Sequence, residues 1–220
     1  MKLTMTRRAA LAGGAAALLT PTLARARSAE RRFTVLRGGD PIGTHVVRAS
    51  RSGDTVEAAT EIDIAVTFLG ITAYRYTLDY RETYRGGQLA AFSGRCNDDG
   101  TEESVEVSRE GNMLRIDGTG YSGEAPAQAV PTSYWRRAAL QASPWISAQS
   151  GELLGIGVRE GGANVPAGST GYTVSDGAGY DVELWYDAAG DWTGCAFDAE
   201  GEPGLYRLEP GSASLVELAA

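Results

Sequence analysis

From Arg31 onward, apolar and polar residues alternate in short runs. Ile62, Ile64, Val66 and Phe68 alternate with Asp63, Ala65 and Thr67, and Tyr74, Tyr76, Leu78 and Tyr80 alternate with Arg75, Thr77, Asp79 and Arg81. A period of two sends every second side chain to the same face of a strand, so each run predicts a β-strand with one buried face. Gly70 lies between the two runs and makes them hairpin partners. Comparable runs predict strands at 88–96, 103–109, 113–117, 152–159, 171–175, 180–186, 192–197, 205–209 and 215–218. Arg85-Gly86-Gly87, Asp98-Asp99-Gly100, Glu110-Gly111-Asn112 and Ala188-Ala189-Gly190 supply turns between them.

One stretch departs from this rhythm. After the Gly-, Pro- and Ala-rich residues 118–131, Thr132 or Ser133 can cap a short helix through Ala142. Tyr134, Trp135 and Leu140 are available for one face, and Pro144 stops the helix. The expected fold is all-β: an antiparallel, strongly curled sheet or barrel of about a dozen short strands, with one short helix plugging or crossing it. A sandwich is the alternative.

The N-terminus has a different character. Lys2, then Thr6-Arg7-Arg8-Ala9-Ala10-Leu11, an 11-residue mildly apolar run to Leu19, Pro21 and Ala24-Arg25-Ala26 follow the order of a signal peptide. The paired arginines before a weakly hydrophobic stretch suggest the twin-arginine type, with the twin-arginine export machinery as partner. A general secretory signal is the plainer alternative. The run is too short to span a bilayer, and no cysteine before Cys96 could carry a lipid, so no stable membrane anchor is expected. Residues 1–26 are therefore read as the signal peptide and 27–220 as a single β-rich domain, soluble and periplasmic after cleavage.

Removing that segment sharpens the charge. The chain of 220 residues has 20 basic and 28 acidic side chains; without Lys2, Arg7, Arg8 and Arg25, 16 basic residues remain against the same 28 acids, a net charge of −12. Such a surface repels phosphate backbones and anionic headgroups, so nucleic acid is not an expected partner. Lys2 is the only lysine. This removes lysine Schiff-base chemistry and a phosphate-loop lysine from consideration.

Few residues remain for chemistry. Cys96 shares its strand phase with Phe92, and Cys195 with Phe197, so both sulfurs should face the apolar side. In an oxidising compartment they are expected to form a disulfide; two buried free thiols are the alternative. The single histidine, His45, lies in Ile42-Gly43-Thr44-His45-Val46-Val47 with no local nucleophile or acid to make it a general base. One histidine and two cysteines leave only carboxylates to complete a metal shell, so no metal site and no cofactor are expected. Gly155-Ile156-Gly157, Gly120-Tyr121-Ser122-Gly123 and 97–103 lack the contexts of a dinucleotide loop, a nucleophile elbow and a calcium loop, respectively. Tyr74, Tyr76 and Tyr80 share one strand face and, with Trp135, could wall a pocket or simply form the core.

Taken together, Ile42-Gly43-x-His45, Pro131-Thr132-Ser133-Tyr134-Trp135, Gly151-Glu152-Leu153 and Leu184-Trp185-Tyr186-Asp187-x-x-Gly190-x-Trp192 resemble a family of exported proteobacterial proteins of unknown function. The resemblance spans 33–208 and implies the address and a continuous domain, with no activity to carry over. This chain departs from the family pattern at Arg136, where asparagine is usual. By analogy of fold, exported curled sheets with a helix over the concave face include carriers of acyl chains. The leading expectation is a module binding an apolar or amphipathic small molecule, with His45, Tyr74, Tyr76, Tyr80 and Trp135 as candidate contacts. An envelope protein with a protein partner and no ligand is second, and a His45-dependent hydrolase or isomerase third.

Overall fold

The computed structural model describes residues 27–219, so the expected signal peptide lies outside the described residues. The chain starts with eight strands in meander: β1 (Arg27–Arg37), β2 (Asp40–Ser52), β3 (Thr55–Phe68), β4 (Ile71–Arg85), β5 (Gln88–Asp98), β6 (Thr101–Glu110), β7 (Met113–Gly118) and β8 (Ser122–Pro126). It then crosses the sheet through β9 (Val130–Pro131), a 3-10 turn (Arg137–Gln141), β10 (Trp145–Ile146) and β11 (Leu153–Leu154). A second meander follows: β12 (Gly157–Glu160), β13 (Ser169–Ser175), β14 (Asp181–Asp187), β15 (Trp192–Ala199) and β16 (Glu202–Leu208). A helical turn, Val216–Ala219, closes the described chain.

The two meanders form one 13-stranded antiparallel sheet, because β16 pairs with β1, Phe33 opposite Leu208 and Val35 opposite Tyr206. The order runs β12 to β16, then β1 to β8, and the outermost strands β12 and β8 do not pair with each other. The expected curled antiparallel sheet is thus present, but its hydrogen bonding does not close into a barrel. Register shifts at Val35/Leu36, Val66/Thr67, Thr83/Tyr84 and Trp185/Tyr186 add local twist. Alternation holds along the strands: on β4, Leu78, Tyr80, Glu82 and Tyr84 are buried while Arg75, Asp79 and Arg81 are exposed.

The crossing segment fills the concave side. β9, β10 and β11 make a small sheet of their own, and Trp145, Ile146 and Ala148 are buried in the same core as Phe33, Phe92 and Leu184. Two glycines allow this approach. A Cβ on Gly94 would sit 2.2 Å from the Ala148 carbonyl oxygen, and one on Gly118 would sit 2.3 Å from that of Ser150. The C-terminal turn is pinned by a buried ion pair, Arg31 to Asp191 at 3.7 Å, with Arg31 donating to the Trp192 and Ala213 carbonyls and Asp191 accepting from the Leu215 amide.

The structure corrects the sequence reading in four places. The helix expected over 132–142 is only a five-residue 3-10 turn, because Ser133 and Trp135 reach into the sheet to bond Glu82, and their backbone stays out of a helix. Long-range contacts here override local propensity. The strand expected over 152–159 is split between the small sheet and the large one, and 215–218 is a helical turn rather than a strand. Cys96 and Cys195 are buried free thiols, not a disulfide. They lie on β5 and β15, with five strands between them in the sheet order. That is about 29 Å along the sheet, against alpha-carbon separations under about 7 Å in a bridge, and the crossing segment occupies the concavity.

Candidate functional site

Three parts of the fold meet around a cavity of about 450 Å³. The sheet contributes the floor: His45 from β2, Ile62 from β3, Tyr76, Leu78 and Tyr80 from β4, and Tyr206 from β16. The crossing segment contributes Thr132, Tyr134, Ser147, Gln149, Glu152 and Leu154. The β13–β14 turn contributes Asp176, Ala178, Gly179 and Tyr180 at the rim.

His45 is the unusual member. It is 1% exposed, and among the described residues none hydrogen-bonds either ring nitrogen. Its neighbours are rings set edge-to-face: Trp192 at 5.0 Å, Tyr206 at 5.2 Å and Phe33 at 6.0 Å between centroids. Burial among them lowers its pKa from 6.5 to about 3, so the imidazole is neutral at neutral pH. A neutral imidazole carries one N–H donor and one lone-pair acceptor. An N–H aimed at a ring face recovers part of a hydrogen bond, but the lone pair has no such substitute. Among the described residues no carboxylate orients this ring, and so low a pKa makes it a weak base.

The tyrosines are positioned by hydrogen bonds of their own. Gln149 donates to the Tyr76 hydroxyl at 2.5 Å, and the Tyr134 and Tyr180 hydroxyls, both in the cavity lining, share a hydrogen bond of 2.8 Å. Burial raises the pKa of Tyr76, Tyr80, Tyr134, Tyr180 and Tyr206 above the ordinary phenol value, so all five are neutral. At the rim, Asp176 accepts from the backbone amides of Ala178 (2.7 Å), Gly179 (3.1 Å) and Tyr180 (3.0 Å). Those amides, Ala178's foremost, lower its pKa and keep it ionised.

The structure brings His45, Tyr76 and Tyr80 together and sets the other two candidates elsewhere. Tyr74 follows the same strand phase but donates to Asp98 at 2.7 Å beside a separate hollow with Arg37 and Glu200. Trp135 is buried against Tyr84, and its indole N–H is bonded to Glu82 at 3.0 Å, away from the cavity. Glu82 itself is 1% exposed and also accepts from Ser133 at 2.6 Å and Tyr84 at 2.5 Å. Burial raises its pKa, and the three donors and Arg136 oppose that shift. This cluster ties the crossing segment to β4. Glu82 was missed in the sequence although it occupies the inward phase between Tyr80 and Tyr84. Tyr134 falls in the expected helix, and Tyr180, in the β13–β14 turn, and Tyr206, on β16, carry no local signal. Among the described residues, no group of three or more His, Cys, Asp or Glu is placed to hold a metal ion.

A family model described as a domain of unknown function, DUF6134, matches residues 33–209. No curated protein matches. Among solved structures, the crystal structure of a β-barrel-like protein of the domain of unknown function DUF1849 from Brucella abortus is similar, with a TM-score of 0.53 and 12% identity. The match covers 83% of this chain and 94% of that one. At that identity the likeness concerns the fold alone.

Proposed function

The chain belongs to the DUF6134 family of unknown function, and from that premise we propose that it is an exported, periplasmic protein that binds one small amphipathic molecule in the cavity around His45. The observation that carries this reading is the imidazole itself. A fully buried ring with neither nitrogen bonded to protein costs stability in the absence of a partner, and a cavity adjoins it.

The volume limits the occupant. At about 30 Å³ per water-sized group, 450 Å³ holds about fifteen non-hydrogen atoms, in the lower half of the usual range for ligand pockets. A single ring system or a short chain fits this space; a two-chain lipid does not. Five tyrosines offer apolar ring surface with polar tips, which suits a molecule that is part apolar and part hydrogen-bonding. The N-terminal pattern with Arg7 and Arg8 supports the address.

Native mass spectrometry of the mature protein, purified from its host without detergent, tests the reading. The expected result is a reproducible extra mass of a small molecule that disappears on denaturation and is absent from a His45→Phe variant. A bare mass for the wild type, or an adduct retained unchanged by the variant, would refute it.

A further inference from the structure

Resting on the reading of the cavity as a small-molecule site, we propose that its ligand is a protonated amine on an aromatic or short apolar body. Two independent features lead to this class.

The first is charge. Among the described residues, no lysine or arginine lines the cavity, whereas Glu152 and Asp176 do. Asp176 is held ionised by three backbone amides. The remaining polar lining is uncharged: Thr132, Ser147 and Gln149 beside five tyrosines, whose ring faces and hydroxyl oxygens carry negative partial charge and favour a cation. A carboxylate or phosphate ligand would enter past two like charges and find no counter-ion. The acidic surface, 28 acids against 20 bases in the whole chain, adds to the same bias from a distance.

The second is the orientation of demand at His45. Trp192 and Tyr206 stand at T-shaped angles to the imidazole, an arrangement in which a ring face can take up an N–H, whereas only a donor satisfies its lone pair. An ammonium N–H is such a donor, and its charge answers the two carboxylates as well. An alcohol supplies the donor without the charge. A quaternary ammonium supplies the charge without the donor. The protonated amine is the class that meets both.

Three probes on one skeleton separate these possibilities: phenethylamine, 2-phenylethanol and phenylacetate, titrated calorimetrically into the dialysed mature protein at pH 7 and low salt. The amine is expected to bind about tenfold tighter than the alcohol, with the carboxylate weakest. Glu152→Gln, at an exposed position, is expected to weaken the amine more than the alcohol and so narrow the gap between them. Equal binding of amine and alcohol, or tighter binding of the carboxylate, would overturn the cationic class and leave the cavity reading standing. Absence of binding by all three would also overturn it, and the native-mass adduct then decides the cavity reading separately.

Discussion

Replacing His45 by phenylalanine should stabilise the ligand-free protein while abolishing its binding. The imidazole buries one donor and one acceptor that protein groups leave unmet, and each unmet group costs about 1–3 kcal/mol. An N–H directed at a neighbouring ring recovers part of one of them, and the larger phenyl ring must find room beside Phe33 and Trp192, so the net gain at pH 7 is about 1–2 kcal/mol. For a chain of this size that corresponds to roughly 2–8 °C in Tm. The pH dependence is more diagnostic. Burial lowers the folded-state pKa to about 3, against 6.5 for the ordinary value. Between those values the unfolded chain binds more protons than the folded one, so the wild type loses stability as pH falls from 6.5 towards 3. At pH 4.5 this group alone costs roughly 2–3 kcal/mol. Phenylalanine has no such titration. The raised pKa of Glu82 and the lowered ones of Glu30 and Asp176 are common to both proteins and cancel in the difference. Urea denaturation of both proteins at the two pH values should therefore show a gap of about 1–2 kcal/mol widening to about 3–5. A variant less stable than wild type at pH 7, with a gap that does not widen in acid, would mean that His45 is hydrogen-bonded within the fold, and the case for the site would collapse.

Three further outcomes follow from the surrounding structure. Trp135→Ala should cost about 3–5 kcal/mol by denaturation yet leave the ligand affinity of the folded protein nearly unchanged, since Trp135 lies outside the cavity; a selective loss of affinity would return it to the binding site. Gly94→Ala should destabilise by more than 1 kcal/mol and weaken binding, because a methyl group 2.2 Å from the Ala148 oxygen lifts the segment that carries Gln149; an unchanged melting curve would refute that close approach. Cys96 and Cys195 are buried, and burial raises both thiol pKa values, that of Cys96 to about 11. Iodoacetamide should therefore label neither cysteine in the native protein and both after denaturation without reductant, as read by mass. Failure to label the denatured chain would mean a disulfide after all.

The parts of this fold visible in the sequence are those set by neighbours two residues apart. The alternation through 62–80 marked β3 and β4, their hairpin and the inward phase of Tyr76 and Tyr80. The same phase puts Glu82 inward between Tyr80 and Tyr84, where a charged residue signals a buried polar contact. His45 was conspicuous by type, but its lack of partners depends on Trp192 and Tyr206, which β15 and β16 bring from more than 140 residues away. Trp135 was misplaced because composition around Thr132 favours a helix, and the bonds to Glu82 that prevent one span about 50 positions. The disulfide was inferred from compartment and phase, and neither fixes which strands become neighbours.

The pairing of β16 with β1 also orders events in time. A nascent chain can assemble β1 to β8 as each hairpin emerges, but β1 then waits as an open edge, with Phe33 and Val35 lacking the partners Leu208 and Tyr206 that are synthesised last. Contacts across so long a stretch are slow to form, and an unpaired apolar edge invites association with other chains. Completion of the sheet therefore waits for the last of its strands to be made. An export route that accepts only finished folds would have to hold this protein back until its last strand had reached its first.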